Sequence, residues 1–217
     1  MIGGIVNPYV FAAAPAGPPS FINAASAVKS GGNVTVSVPS GTLDNDVMVA
    51  IVVSAAIDLD TPPSGWTLRE QQTGTQPTFA VWTRVASSEP ASYTWSGANA
   101  DVGAILTFRG VSTANPFDID GAAGPTTSTA ATAPSITTSN ANAMVIAMQC
   151  VNDAAAPTTP PSGMTERVDE SAGGGNNFSM SVATVLQAAA GASGAKAFGA
   201  YGFSATWRAY TMALRSA

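Results

Sequence analysis

The chain has 217 residues, of which 10% are charged and 46% apolar, with 21 glycines, 15 prolines, one cysteine, no histidine and a formal net charge of −5. The missing histidine excludes Ser-His-Asp and Cys-His catalysis and histidine-ligated zinc, and the lone Cys150 excludes an intrachain disulfide framework. Lys29 and Lys196 are the only lysines, so no basic surface for nucleic acid exists, and no apolar run approaches the ~18 residues of a membrane-spanning helix.

Residues 1–30 read as an extended N-terminal arm. Asn7-Pro8 breaks its apolar run and no positive n-region precedes it, which argues against a cleaved signal peptide. Over its first 22 or so residues Ile2, Ile5, Val6, Tyr9, Val10 and Phe11 are candidate partner-docking anchors. Pro15, Pro18 and Pro19 keep the following segment extended. An uncharged apolar segment of this kind is better placed against another subunit than in water.

Strand signals follow in short succession. Val34, Val36 and Val38 alternate with Thr35 and Ser37, the period of a half-buried strand. Val47 to Val53 is apolar at both parities, as in a central strand covered on both faces. Trp66 to Gln71, Phe79 to Val85, Ala91 to Trp95 and Ala104 to Val111 come next, separated by turn residues. Residues 122–134 are a low-complexity Gly/Thr/Ala/Pro linker. Beyond it lie the strand Met144 to Cys150 and a Ser-Met-Ser-Val-Ala-Thr-Val alternation, whose period of two outweighs a helical turn over Thr184 to Ala190.

The second half repeats the first. Thr61-Pro62-Pro63-Ser64-Gly65-Trp66-Thr67 returns as Thr159-Pro160-Pro161-Ser162-Gly163-Met164-Thr165. Asn45 to Ala50 answers to Asn142 to Ala147, Thr78 to Thr83 to Ser179 to Thr184, and Ala104 to Arg109 to Tyr210 to Arg215. The order is kept while the offset widens, as loop insertions require. The fold class expected is all-β: one antiparallel, jelly-roll-like β-sandwich over residues 31–217, built from repeats at about 31–121 and 135–217. Val49, Ile51, Val81, Leu106, Phe108, Ile146, Met148, Val182, Met212 and Leu214 form its expected core, with Val36 packed beside them.

The candidate sites are few. Asp44/Asp46, Asp58/Asp60 and Asp118/Asp120 resemble the start of a calcium loop, with Asp58/Asp60 the best placed, but none has the full ligand pattern and turn capping is their ordinary role. The glutamates Glu70, Glu89, Glu166 and Glu170 offer no matched acid pair for glycoside hydrolysis. Trp66, Trp82, Trp95 and Trp207, with Tyr93, Tyr201 and Tyr210, offer a sugar-stacking platform if exposed and a core if not. Cys150 reads as a buried hydrophobe, and Gly173-Gly174-Gly175 as a hairpin turn without the context of a phosphate loop. No catalytic residue, metal or cofactor is expected.

Val34-Thr-Val-Ser-Val-Pro-Ser-Gly, Asp46-Val-Met-Val-Ala, Thr61-Pro-Pro-Ser-Gly-Trp-Thr-Leu and Ala86-Ser-Ser-Glu-Pro-Ala-Ser-Tyr-Thr-Trp together resemble a group of tailed-bacteriophage β-sandwich proteins. Ala104 to Val111, Asn115-Pro-Phe-Asp, Pro161-Ser-Gly-Met-Thr-Glu-Arg and Met212-Ala-Leu-Arg continue the likeness, over about residues 30 to 217. The resemblance implies a structural protein of the virion and carries no catalytic residues. With no stalk-forming repeat, a head decoration or cement protein is favoured, binding the major capsid protein or other virion subunits as a homo-oligomer. It would assemble in the host cytoplasm, with no nucleic-acid or membrane partner. A tail or tail-fibre attachment protein and a carbohydrate-binding receptor-recognition module are the alternatives.

Overall fold

The computed structural model describes residues 17–29, 32–55, 61–97, 100–153, 159–172 and 178–217. They form an all-β, antiparallel sandwich, with no helix among them. The first half contains β1 (Ser20–Val28), β2 (Val34–Ser37), β3 (Val47–Ser54), β4 (Thr67–Gln72), β5 (Thr78–Val85), β6 (Ser92–Trp95) and β7 (Ala100–Arg109). The pairs nest: β1 with β7, β2 with β6 and β3 with β5, leaving β4 at the tip. This is jelly-roll wrapping, closed by the additional pairing of β3 with β7. It yields a five-stranded sheet, β1-β7-β3-β5-β4, and a separate β2–β6 ribbon.

The second half repeats the plan with β8 (Phe117–Ser128), β9 (Thr132–Ala133), β10 (Thr137–Thr138), β11 (Ala143–Val151), β12 (Thr165–Ala172), β13 (Phe178–Gln187), β14 (Gly191–Ala192), β15 (Lys196–Ala197) and β16 (Ala205–Leu214). Its sheet runs β8-β16-β11-β13-β12, strand for strand the order of the first. The repeat reproduces register as well as order. Val47 pairs with Phe108 and Val85, and its counterpart Met144 pairs with Leu214 and Leu186. Asn45 and Asn142 both turn at positive φ, 71° and 55°, just before the central strands.

The sheets pack face to face. Val47, Val49, Ile51, Val53, Val81, Leu106 and Phe108 from the first meet Met144, Ile146, Met148, Val182, Met212 and Leu214 from the second, all buried. Ten of the expected core residues lie here. Val36 does not: it belongs to a second cluster on the outer face of the first sheet, beneath the β2–β6 ribbon. Gly103 on β7 permits that approach, since a Cβ there would stand 2.9 Å from Val36 Cγ2. A third cluster lies between the second sheet and its own broken ribbon. The result is four layers, ribbon, sheet, sheet and ribbon, and both parities of β3 and β11 are buried for that reason.

Two expected boundaries move. Residues 20–28 belong to β1 rather than to an arm, held along their length by β7. Most of the expected 122–134 linker is β8, paired with β16 despite Pro125 and two register shifts. Small polar and alanine-rich segments give no alternation to read; the partner strand supplies the order.

Candidate functional site

The two sheets lie edge over edge, and the halves exchange contacts reciprocally, as a two-fold relation requires. Arg69 occupies a bulge in β4 and stacks on the Phe117 ring of β8 at 4.6 Å. Arg167 occupies the matching bulge in β12 and stacks on the Phe21 ring of β1 at 4.0 Å. Each aromatic residue sits at the corresponding place in its strand, opposite Phe108 or Leu214. The bulges also bend the edge strands away from ladder geometry, which disfavours pairing with another chain.

One further tie has no counterpart among the described residues. Arg208 is 3% exposed and donates to the carbonyls of Thr73, Thr75 and Pro77 and to Gln72 Oε1, pinning the β4–β5 hairpin of the other half. Burial lowers the affinity of its guanidinium for the proton.

The described chain ends converge on one end of the sandwich, where β3 and β11 begin. Ala217 N–H donates to Gly110 O, and Ser112 N–H to Arg215 O. The carbonyls of Gly17 and Pro18 lie beside Gly110, within 3.3 Å of where a Cβ would project. Among the described residues three ion pairs also sit here, and a fourth, Arg69–Asp120, lies farther along the β4–β8 edge. Arg109 is bidentate to Asp46 at 2.9 and 2.8 Å, and Arg84 Nε reaches both Glu89 oxygens at 2.9 and 3.0 Å. Arg69 meets Asp120 at 2.6 Å and Arg215 meets Asp118 at 3.5 Å.

Of the carboxylates singled out in the sequence, Asp44, Asp46, Asp118, Asp120, Glu70, Glu89 and Glu170 are committed to partners within the chain. Asp44 caps Ser88 N–H, and Asp46 also caps Leu43 N–H. Asp118 accepts from the backbone of Ser139 and Asn140 and from the Asn140 amide. Burial pushes the Asp118 carboxyl up, but these N–H groups and Arg215 outweigh it and hold the carboxyl below its ordinary range. Asp120 accepts from Tyr210, whose phenol is pushed up by burial and by that carboxylate. Glu89 accepts from Ser87 N–H and Tyr93; burial and the bond to Glu89 push the Tyr93 phenol up to about 12. Glu70 accepts from Gln72, and Glu170 from Ser26. Glu70 on β4 and Glu166 on β12 lie at opposite edges of different sheets, offset by about 19 Å, or four strand spacings, across the sandwich and by a further ~10 Å between the sheets. No single substrate bond reaches both.

The expected aromatic platform is not open. Trp66, Trp82, Trp95 and Tyr93 fill the space under the first ribbon, Trp207 and Tyr201 that under the second, and Tyr210 the inter-sheet core; none is more than 7% exposed. Cys150 is fully buried, which pushes its thiol up to about 12. Among the described residues no group of three or more acidic or cysteine side chains is arranged to hold a metal ion. Asp58/Asp60, Gly173-Gly174-Gly175 and the docking anchors Ile2, Ile5, Val6, Tyr9, Val10 and Phe11 lie outside the described residues.

The converging end also holds a cleft of about 400 Å³ where the first sheet meets the connector from β7 to β8. Val47, Val85, Leu68 and Phe117 give it apolar walls, and Thr67 and Thr83 add hydroxyls. Its two arginines, Arg69 and Arg84, are neutralised by Asp120 and Glu89. Leu68 is 45% exposed, and Leu43, Ile119 and Leu186, three of the other four exposed large apolar side chains, lie toward this end too. No sequence signal marks this cleft, because its walls come from both halves. The chain matches no family model, no curated protein and no solved structure in comparisons with known proteins.

Proposed function

We propose that this protein is a non-catalytic structural component of a tailed-bacteriophage virion, a head decoration or cement protein that binds the major capsid protein. The observation that carries this reading is the polarity of the molecule. One end gathers both described chain ends, a cleft that mixes apolar walls with hydroxyl groups, and exposed leucines, while the arginines beside them are already paired with carboxylates. A surface of that character suits protein–protein contact, where the centre of an interface is depleted in unpaired charge. The burial of the aromatic rings and the separation of Glu70 from Glu166 count against sugar stacking and glycoside hydrolysis at those residues.

The test is incorporation. Particles assembled with a tagged copy and imaged by negative stain should carry label over the head surface. Label confined to the tail would replace this reading with a tail-attachment role, and unlabelled particles would remove the virion role altogether. A chain lacking residues 1–16, which leaves β1 intact, should fold with a nearly unchanged melting temperature yet lose incorporation.

A further inference from the structure

We infer that the cleft bounded by Leu68, Val85 and Phe117 receives residues 1–16 of a second copy of this chain, so that the protein self-associates by exchange of N-terminal arms. The inference rests on the reading that the arm docks on another subunit, and it names the acceptor. Three observations support it. The described chain begins at Gly17, beside Gly110, at the same end of the sandwich as the cleft. Sixteen extended residues reach at most about 55 Å, more than twice the roughly 19 Å width of the sheet, so length does not limit the exchange. The two surfaces also match in chemistry. Residues 1–16 contain no charged side chain, and the cleft presents apolar and hydroxyl groups with both cations already neutralised. Its volume accommodates an aromatic anchor such as Tyr9 or Phe11 with an aliphatic neighbour.

On the reading that the arm docks on another subunit, a second copy is the occupant; the chain's own arm, long enough to reach the cleft, would instead leave the full chain monomeric. Thr113, Asn115 and Pro116 of the connector line the cleft. That connector is tied down by Ser112 N–H to Arg215 O and Arg215 N–H to Pro116 O. The connector therefore gives the cleft a fixed wall. A neighbour's arm enters from solvent on the exposed Leu68 side.

The experiment is light scattering coupled to size exclusion, on the full chain, on a chain lacking residues 1–16, and on Leu68→Asp. The full chain should show at least twice the monomer mass and each altered chain the monomer mass. An equimolar mixture of the two altered chains should restore a two-chain species, because one keeps the cleft and the other the arm. A fluorescent peptide of residues 1–16 should gain anisotropy on the truncated chain and not on a truncated Leu68→Asp chain, with melting curves confirming that both are folded. A monomeric full chain, or association that survives either lesion, overturns the inference. Self-association is measured without particles. Loss of incorporation with association intact would therefore discard only the virion role, and the converse only the arm exchange.

Discussion

The two halves share a wrapping plan and differ in how they cover their outer faces. In the first, β2 and β6 form an unbroken ladder from Val34↔Trp95 to Ser37↔Ser92 over four large aromatic side chains. In the second, the equivalent ribbon is split into β9–β15 and β10–β14 around Pro134, which has no N–H to give. The two pieces keep one register, Ala133↔Lys196 and then Thr137↔Ala192, and a Ser193 N–H bond to Ile136 O bridges the gap. Beneath it lie mostly alanines, among them Ala143, Ala147, Ala183, Ala209 and Ala213. The aromatic solution buries more apolar area per residue but leaves the indole N–H groups of Trp66 and Trp95 buried without partners, at about 1–3 kcal/mol each. The alanine solution keeps its polar groups satisfied: Trp207 Nε1 donates to Ser128 and the Tyr201 hydroxyl to Gln149. One sheet plan thus tolerates two covers, provided that each is internally complementary.

Exchanging the two fillings should break the comparison most sharply. Trp82 and Ala183 occupy corresponding positions, opposite Ala50 and Ala147. Trp82→Ala should cost about 3–5 kcal/mol, since the aromatic cluster cannot collapse onto the void. Ala183→Trp should cost about 1–3 kcal/mol or more through overpacking. Denaturant midpoints measure both; near-neutral values would mean that the outer clusters are loosely packed.

The unmatched Arg208 comes next. Its counterpart by the repeat is Val102, so Arg208→Met makes the second half resemble the first while stripping three loop carbonyls of their donor. A loss of about 3 kcal/mol is expected, with faster proteolysis at residues 73–77. An unchanged denaturation midpoint would show that the hairpin is held by its own ladder.

The reciprocal arginines sharpen the comparison further. Arg69→Met also leaves Asp120 without its cation, whereas Arg167→Met loses only a hydroxyl acceptor, Thr184, and the ring contact. The first should cost about 0.5–1 kcal/mol more than the second, and the double variant should be additive, because the sites lie at opposite edges. Non-additivity would mean that the two edges open together.

The smallest effect is on pH. Asp118 has a folded-state pKa below its ordinary ~3.9, so its contribution is present above that value and lost as pH falls through the folded one. Asp118→Asn should flatten the acid limb of stability below about pH 4 and leave the neutral-to-alkaline limb unmoved. An unchanged acid limb would assign acid sensitivity to other carboxylates.

Much of this fold was legible from local pattern alone. The both-face apolar runs at Val47 and Met144, the Pro-Pro-Ser-Gly turns and the four repeated blocks set strand identity and the correspondence between the halves, because turn chemistry and period-two burial act within a few residues. β1 was not legible, since Ser20 to Val28 is rich in alanine and serine and acquires strand geometry only from β7. Nor was β8, whose Gly-Pro-Thr-Thr composition reads as a linker until β16 lies beside it. The same limit hid the site. Leu68 and Phe117 are ordinary strand residues until the two sheets meet edge over edge, and Arg208 is an unremarked cation until the opposite hairpin closes around it. Sequence determined the repeated sheet, because burial and turns are encoded locally. Tertiary structure alone decided the clasps, the cleft and the polarity of the molecule, because each is made by residues the chain brings together only after both sheets exist.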